Sequence, residues 1–318
     1  MPINASQAQD IESAKPIIQK IMAKINKLLR LEDDPIECVI DFDALTDFQI
    51  DNSYRNVLAT RIYDNYISTV DRFLSYQLEY TNEAKEVAHI YIEEYHNRWW
   101  ARELSFEFAE RDPSWKTEYG HVLFRDGALV IQVPAAKFNW NAYDVVYQGM
   151  DRVLDVDIGE GPVAKYKASA YEANKLLVPL MDKLRKATQG ENYTFDMDFE
   201  RYWIGGHIQL MPKDYQLRAP VLAVKYAERL TYMFERFCSE CSVTIPHLNE
   251  MLHARKLRIL FGPVVDTANR YDMYVEGGAL VLKVPEKEFC CNVSDIGGGR
   301  GSNVRTLLDR YVESKPKA

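Results

Sequence analysis

Four side chains that can bind a metal ion recur on one predicted helix. Glu86, His89, Glu93 and His96 follow one another at spacings of three, four and three residues, which places them within about 80° of one helix face. Imidazole and carboxylate groups in such an arrangement can bind a divalent cation. Alanine, valine and tyrosine occupy the opposite side, so this is also the pattern of a solvent-facing helix surface. We favour the solvated face over a metal site.

Two pairs of aspartates lie on segments that alternate polar and apolar residues. They are Asp41 with Asp43, and Asp196 with Asp198. Paired carboxylates on one strand face can hold Mg²⁺ for phosphoryl chemistry. Alternation of this kind is also typical of any strand with one face in water, and we favour that interpretation.

The cysteines offer a zinc site only in principle. Cys238 and Cys241 form a C-x-x-C pair, and Cys290 and Cys291 are adjacent. The first pair falls late in a predicted helix and the second has no spacer, so we interpret these side chains as small buried hydrophobes. An odd total of five cysteines indicates reduced thiols. The sequence predicts no cofactor.

A glycine-rich loop, Gly297–Ser302, leads into a predicted helix near the C-terminus. Backbone N–H groups at the start of a helix suit anions, and Arg300 and Arg305 add positive charge there. The loop lacks the Gly-Lys-Ser/Thr of a nucleoside-triphosphate loop. It is either a phosphate or nucleic-acid contact or a flexible connector.

Basic residues are segregated although the formal net charge is −8. Such clusters can bind a phosphate backbone locally, and the 20 tyrosines and five tryptophans offer stacking surfaces for unpaired bases. Lysines opposite an apolar stripe are also typical of ordinary surface helices. The predicted nucleic-acid contacts are Lys20, Lys24, Lys27, Arg30, Lys175, Lys183, Lys186, Arg255, Lys256, Arg258, Arg300 and Arg305.

Length and composition describe the chain that must position these groups. It has 318 residues, 47% of them hydrophobic and 27% charged, which indicates a globular protein of about two domains. An uncharged apolar run long enough for a transmembrane helix does not occur, and the first residues do not resemble a signal peptide. We expect a cytoplasmic protein without a membrane partner.

The chain repeats itself. Residues 126–138 read DGALVIQVPAAKF and residues 277–289 read GGALVLKVPEKEF. At a constant separation of 151 residues, nine identities fall within 18 positions from Gly127 onward. At a separation of 164, residues 57–73 also align with 221–237. We interpret the sequence as a tandem duplication.

The repeats predict an α+β fold with two units related by a pseudo-twofold axis. Each unit is expected to contain a helix, a hairpin, a long helix, antiparallel strands and a short helix. In the second unit the hairpin would turn at Gly205 and Gly206. The long helix is expected over 55–98, as one helix or two abutting ones, and strands at 102–109, 127–133, 256–262 and 278–284. The predicted domains are 13–160 and 165–313, between tails at 1–12 and 314–318.

Three functional hypotheses follow. The sequence shows no nucleophile beside a base and no cofactor fingerprint, which favours a non-enzymatic protein. We favour a nucleic-acid-binding protein that prefers RNA or another single strand. The alternatives are a structural or assembly adaptor with two similar docking domains, binding protein partners or itself, and a metal-dependent hydrolase.

Overall fold

A computed structural model describes residues 3–155, 162–240, 245–264, 271–291, 293–296 and 304–314. The chain is a mixed α+β protein that divides into two units, Met1–Asp157 and Ile158–Ala318. Each unit contains one four-stranded sheet.

The first unit contains the following helices and strands. The helices are α1 (Ala5–Leu29), α2 (Phe42–Thr46), α3 (Leu58–Arg61), α4 (Ser68–Glu79), α5 (Asn82–Arg98) and α6 (Ala142–Val153), with a π-helical segment at Ile62–Ile67 and short turns at Arg55–Val57 and Ala135–Lys137. The strands are β1 (Glu37–Val39), β2 (Glu103–Phe108), β3 (His121–Arg125) and β4 (Ala128–Val133).

The second unit has elements in a similar order. Its helices are α7 (Ala164–Ala187), α8 (Phe199–Ile204), α9 (His207–Leu210), α10 (Ala219–Glu240), α11 (Ile245–Met251) and α12 (Val304–Glu313), with short turns at Lys213–Arg218, Glu286–Glu288 and Val293–Asp295. Its strands are β5 (Thr194–Asp196), β6 (Lys256–Phe261), β7 (Asp272–Glu276) and β8 (Ala279–Val284).

The two sheets have the same strand order, and most of their pairing is parallel. The orders are β1-β2-β4-β3 and β5-β6-β8-β7. In the first sheet β1, β2 and β4 are parallel, and only β3 runs antiparallel to β4; the second sheet repeats these directions. The predicted antiparallel sheet is therefore wrong except for the hairpins β3–β4 and β7–β8. Parallel neighbours need a long crossover, and the helices between β1 and β2 supply it.

The predicted hairpin after the first helix of each unit is also wrong. In the second unit β5 ends at Asp196, and Asp198 caps α8 by accepting a hydrogen bond from the backbone N of Arg201 at 2.9 Å. In the first unit Asp41 caps α2 by accepting from the backbone N of Ala44 at 3.0 Å. A side-chain oxygen that accepts from a free N–H group favours the start of a helix. The residues after each of these aspartates therefore form a helix where a second strand was predicted. Residues 205 and 206 join α8 to α9.

The first helix is longer than predicted. Residues 5–12 were expected to belong to a tail, but α1 begins at Ala5. Asn4 and Gln7 form a reciprocal capping box, each side chain accepting from the other residue's backbone N at 2.9 Å. Two satisfied N–H groups stabilise an early helix start.

The segment 55–98 forms consecutive helices. Its main break falls before α5, where the side chain of Thr81 caps the new helix. The π-helical segment before α4 contains Tyr66, whose buried hydroxyl accepts a hydrogen bond from the backbone N of Asn139 at 2.9 Å. In the second unit the buried hydroxyl of Tyr226 accepts from the backbone N of Cys290 at 2.7 Å. Each tyrosine thus ties a long helix to the loop after the last strand.

These two hydrogen bonds match at a different separation from the sequence alignment of the long helices. Tyr66 and Tyr226 are separated by 160 residues, whereas the alignment of 57–73 with 221–237 uses 164. The difference is about one helical turn, so both alignments place apolar residues on the same face. The tertiary contact selects the shorter separation.

Both hairpins turn through two residues with positive φ. Asp126 and Gly127 have φ of 51° and 77°, and Gly277 and Gly278 have 55° and 75°. These angles suit the two-residue turns that match strand twist. A Cβ on Gly127 would overlap the indole of Trp100, whereas a Cβ on Gly277 would have no heavy atom within 4 Å.

We therefore expect Gly127→Ala to lower the free energy of unfolding by about 2–3 kcal/mol, because the alanine adopts a strained backbone and must also displace Trp100. Gly277→Ala is the matched control, with a loss of about 1 kcal/mol from the backbone alone. Chemical denaturation of both variants measures the difference. Equal losses would contradict the role assigned to the indole.

Candidate functional site

The predicted metal-binding side chains do not form a site. Glu86, His89 and Glu93 lie exposed on α5, while Nε2 of His96 lies 2.6 Å from the carbonyl oxygen of Leu29 and joins α5 to α1. Within the described ranges there is no cluster of three or more His, Cys, Asp or Glu side chains that could hold a metal ion. The aspartates of the two predicted pairs are divided among strand ends, caps and helix starts, as described above.

The cysteines were predicted to be small buried side chains, and the described ones differ in burial. Cys238 is buried in α10, whereas Cys291 is exposed. Burial raises the pKa of the Cys290 thiol to about 11 and that of Cys38 to about 12, so both remain protonated near neutral pH. Cys241 lies outside the described residues, as do Gly297–Ser302 and with them Arg300.

The lysines predicted on α1 and α7 face solvent. Lys20, Lys24, Lys27 and Arg30 are exposed on α1, and so are Lys175, Lys183 and Lys186 on α7. Between residues 12 and 32 the sequence has five basic residues and no acidic one. Nζ of Lys24 lies 2.8 Å from Oδ2 of Asp71, so part of this charge is balanced within the unit.

Arg255 makes several contacts within the second unit. Its Nε lies 2.8 Å from Glu191, and its Nη1 donates to the backbone carbonyls of Asn249 and Leu252. Its guanidinium also lies 5.5 Å from the ring centroid of Tyr193. These contacts hold the chain that enters β6, so the prediction that Arg255 binds nucleic acid finds no support here.

Arg258 is likewise engaged, on the face of the second sheet away from the hydrophobic core. Its guanidinium lies 3.1 Å from Glu276 and 3.3 Å from Asp196. Glu276 is on β7 and Arg258 on β6, so this pair crosses the middle strand β8, where Val281 is buried. Of the three basic residues predicted on this segment, Lys256 is the exposed one.

The first sheet has a similar ion pair across its strands, but here the acidic residue is on the second strand and the arginine on the third. Arg125 on β3 donates to both carboxylate oxygens of Glu107 on β2, at 2.9 and 2.7 Å. The pair crosses β4, where Val130 is 1% exposed. The hydrogen bond from Arg125 lowers the pKa of Glu107 below its usual range. A bidentate pair thus covers an apolar strand position.

A cavity in the second unit, between α10 and α12, brings three arginines together. We call it the arginine cleft; it is a cavity of about 240 Å³ lined by Arg229, Tyr232, Met233, Arg236, Phe237, Glu240, Val304 and Arg305. Three arginines and one glutamate give its lining a formal charge of +2. In a chain whose total charge is −8 this is a local reversal of sign.

Contacts within the arginine cleft hold its side chains in place. Nε of Arg229 donates to the carbonyl oxygen of Ile296 at 2.8 Å, and its guanidinium lies 5.1 Å from the ring centroid of Tyr232. Nε of Arg236 donates to Glu240 at 2.8 Å. An arginine has five donors, so one fixed N–H can position the group while others meet a ligand. Tyr232 is 50% exposed.

Sequence reasoning identified only Arg305 among the three arginines. Arg229 and Arg236 lie seven residues apart, hence on one face of α10, but Glu228 and Glu235 directly precede them. The net charge of each of these neighbouring pairs along the sequence is therefore about zero, which hides the arginines from a search for basic clusters. The signal that could have found the cleft is helical spacing, with Arg229, Tyr232, Arg236 and Glu240 on one stripe.

Comparisons with known proteins leave the family open. No protein-family model matches the sequence, and neither a curated protein nor a solved structure matches it. Within the described ranges no helix combines the length and apolarity needed to span a bilayer.

The arginine cleft makes a prediction about ionisation. The hydrogen bond and charge of Arg236, followed by the charge of Arg305, lower the pKa of Glu240. We expect Arg236→Ala to raise that pKa toward the ordinary glutamate value, since the neutral side chain no longer favours the carboxylate. NMR titration of the Glu240 carboxyl measures it. Arg310→Ala, on α12 but outside the cleft lining, should leave the pKa unchanged; a pKa unaffected by Arg236→Ala would contradict the pairing.

Proposed function

We propose that the protein is a non-enzymatic, single-strand nucleic-acid-binding protein, with RNA the favoured strand, and that the arginine cleft holds a backbone phosphate. The observation that carries the proposal is the convergence of Arg229, Arg236 and Arg305 on one cavity of an acidic protein. Guanidinium groups match phosphate oxygens in shape and charge.

An exposed aromatic ring beside the guanidinium groups favours an unpaired strand. Bases that are not paired can stack on a tyrosine, and stacking tolerates any base. Tyr232 has half of its surface in solvent and already lies under Arg229.

The exposed lysines of α1 add a second, less specific contact in this proposal. Lys20 and Lys27 project from nearly the same side of the helix, and the segment around them has no acidic residue. Long-range attraction of this kind strengthens phosphate binding and weakens with salt. The free thiols of the described cysteines fit a reducing cytoplasm, where we place this activity.

We also infer that the two units arose by duplication, as the repeated sequence predicts. Support comes from the shared strand order, the paired positive-φ turns and the matching hydroxyls of Tyr66 and Tyr226. On this inference one frame was copied and its surfaces then diverged, which left the arginine cleft in one copy.

Fluorescence anisotropy with a labelled oligouridylate tests the arginine cleft. We expect wild-type affinity to fall steeply with salt, and Arg236→Ala and Arg305→Ala each to weaken binding about 10-fold because a charge-assisted hydrogen bond is lost. Each change should reduce the salt slope by about one. Tyr232→Ala should weaken binding to a similar extent, whereas Tyr232→Phe should not, because the ring is kept.

Arg310→Ala is the matched control, since it removes one exposed arginine from α12 outside the cleft lining. Its affinity should equal that of the wild type. Absent binding, or binding that ignores salt, would overturn the proposed function. Equal losses in Arg310→Ala and Arg305→Ala would move the contact away from the cleft.

The same assay tests α1. Lys20→Ala with Lys27→Ala should lower affinity a few-fold and reduce the salt slope by about two, because two counterions are no longer released. Lys15→Ala provides the control on the same helix, because Lys15 is already paired with Glu12. If the double variant keeps the wild-type salt slope, α1 does not take part.

A further inference from the structure

The first unit carries an exposed row of neighbouring tyrosine rings on α4 and α6. We call it the tyrosine ladder; it consists of Tyr80, Tyr76, Tyr147 and Tyr143. Successive ring centroids lie 5.0, 6.5 and 5.3 Å apart, and the last two rings are within 20° of parallel. Three of the four side chains are more than half exposed: Tyr80, Tyr76 and Tyr143.

The ladder is anchored from below. Phe73, which is buried, meets Tyr147 edge-on at 5.1 Å. Partial burial, followed by the neighbouring tyrosines and Asp151, raises the pKa of Tyr147. The four rings thus form one row whose third member packs on the core, and the row offers a partner a continuous aromatic surface.

The chemistry of the ladder selects a cationic partner. Tyrosine faces attract guanidinium groups, and this protein already uses such a contact, with the guanidinium of Arg255 lying 5.5 Å from the ring centroid of Tyr193. The charged residues on the two helices beside the ladder are Asp71, Arg72, Glu79, Asp144, Asp151 and Arg152, an acidic excess of two, of which Asp71 is already paired with Lys24. Exposed aromatic patches with a polar border commonly mark interaction sites.

The chain itself contains a surface of the complementary chemistry at the corresponding place. In the first unit the ladder lies where the long helix α4 meets the last helix α6; in the second unit the arginine cleft lies where the long helix α10 meets the last helix α12. One surface offers tyrosine faces and an acidic border, and the other offers guanidinium groups.

We propose that the tyrosine ladder of one copy docks onto the arginine cleft of a second copy of this chain. The contact joins two different surfaces, so it either closes reciprocally in a two-fold dimer or repeats into a larger ring or an open chain of subunits. It goes beyond the proposed nucleic-acid binding and predicts that the two ligands compete, because both occupy the cleft.

Sedimentation velocity over a wide range of protein concentration tests the assembly without nucleic acid. We expect the wild type to form dimers or larger species as concentration rises. A ladder variant, Tyr76→Ser with Tyr143→Ser, and a cleft variant, Arg236→Glu with Arg305→Glu, should each remain monomeric. Tyr171→Ser removes a partly exposed tyrosine of α7 and should assemble as the wild type does.

Mixing the two variants gives the decisive result. The ladder variant keeps its cleft and the cleft variant keeps its ladder, so an equimolar mixture should form a one-to-one dimer and nothing larger. This restored contact also shows that both variants are folded. A wild type that stays monomeric, a ladder variant that assembles normally, or a mixture that stays monomeric would overturn the proposal.

Adding the oligouridylate to the wild-type assembly separates this proposal from the proposed function. Dissociation into smaller species is expected if both are correct. Assembly that persists without any oligonucleotide binding would leave the contact between copies standing and remove the nucleic-acid function. The same experiment with Lys20→Ala and Lys27→Ala present leaves only the cleft to bind; an assembly of that variant that binds oligonucleotide yet stays intact would overturn the ladder-to-cleft contact.

Discussion

Parallel pairing of the first strand in each unit is the constraint on which the fold depends. β1 pairs with β2, and β5 with β6, in the same direction, and such a pair cannot be closed by a short turn. The chain must leave the sheet, form helices and return. Tyr66 then packs on Phe106 of β2 with 5.0 Å between ring centroids, while its hydroxyl binds the loop after β4. Tyr66 therefore joins the crossover helices both to β2 and to the loop after β4. Tyr226 makes the corresponding hydrogen bond in the second unit.

A consequence is that the last helix of each unit has a fixed place to pack. α6 follows the loop held by Tyr66 and lies against α4, and α12 lies against α10. The groove between such helices is set by the core side chains beneath it, whereas its rim consists of exposed positions that the fold does not constrain. Tyrosines occupy the rim in one unit and arginines in the other. The same frame can thus carry unrelated surface chemistry.

The sequence predicted the elements better than their pairing. β2, β4, β6 and β8 each end within one or two residues of the predicted strands, because runs of valine, leucine and isoleucine next to glycine turns have a clear local signal. The direction of pairing depends on distant segments, and the hairpin after each first helix was wrong for this reason. Asp41 and Asp198 look like strand residues by alternation but act as helix caps, since a cap is recognised only once the following N–H groups are placed.

The basic residues of the candidate site could also be found from local sequence only in part, because their partners come from distant segments. Clusters of cations along the sequence led to Arg255 and Arg258, yet each guanidinium has carboxylate partners that only the fold brings near, Glu191 for the first and Glu276 for the second. A cation surrounded by such partners loses most of its attraction for a phosphate, because the ligand must displace an existing charge pair. Arg229 instead meets a neutral carbonyl and a tyrosine ring, neither of which cancels its charge. Arg236 has a carboxylate partner, Glu240, but the cleft lining holds three arginines against that one glutamate and keeps a net positive charge. The net charge of the neighbours in space therefore separates a binding arginine from a structural one.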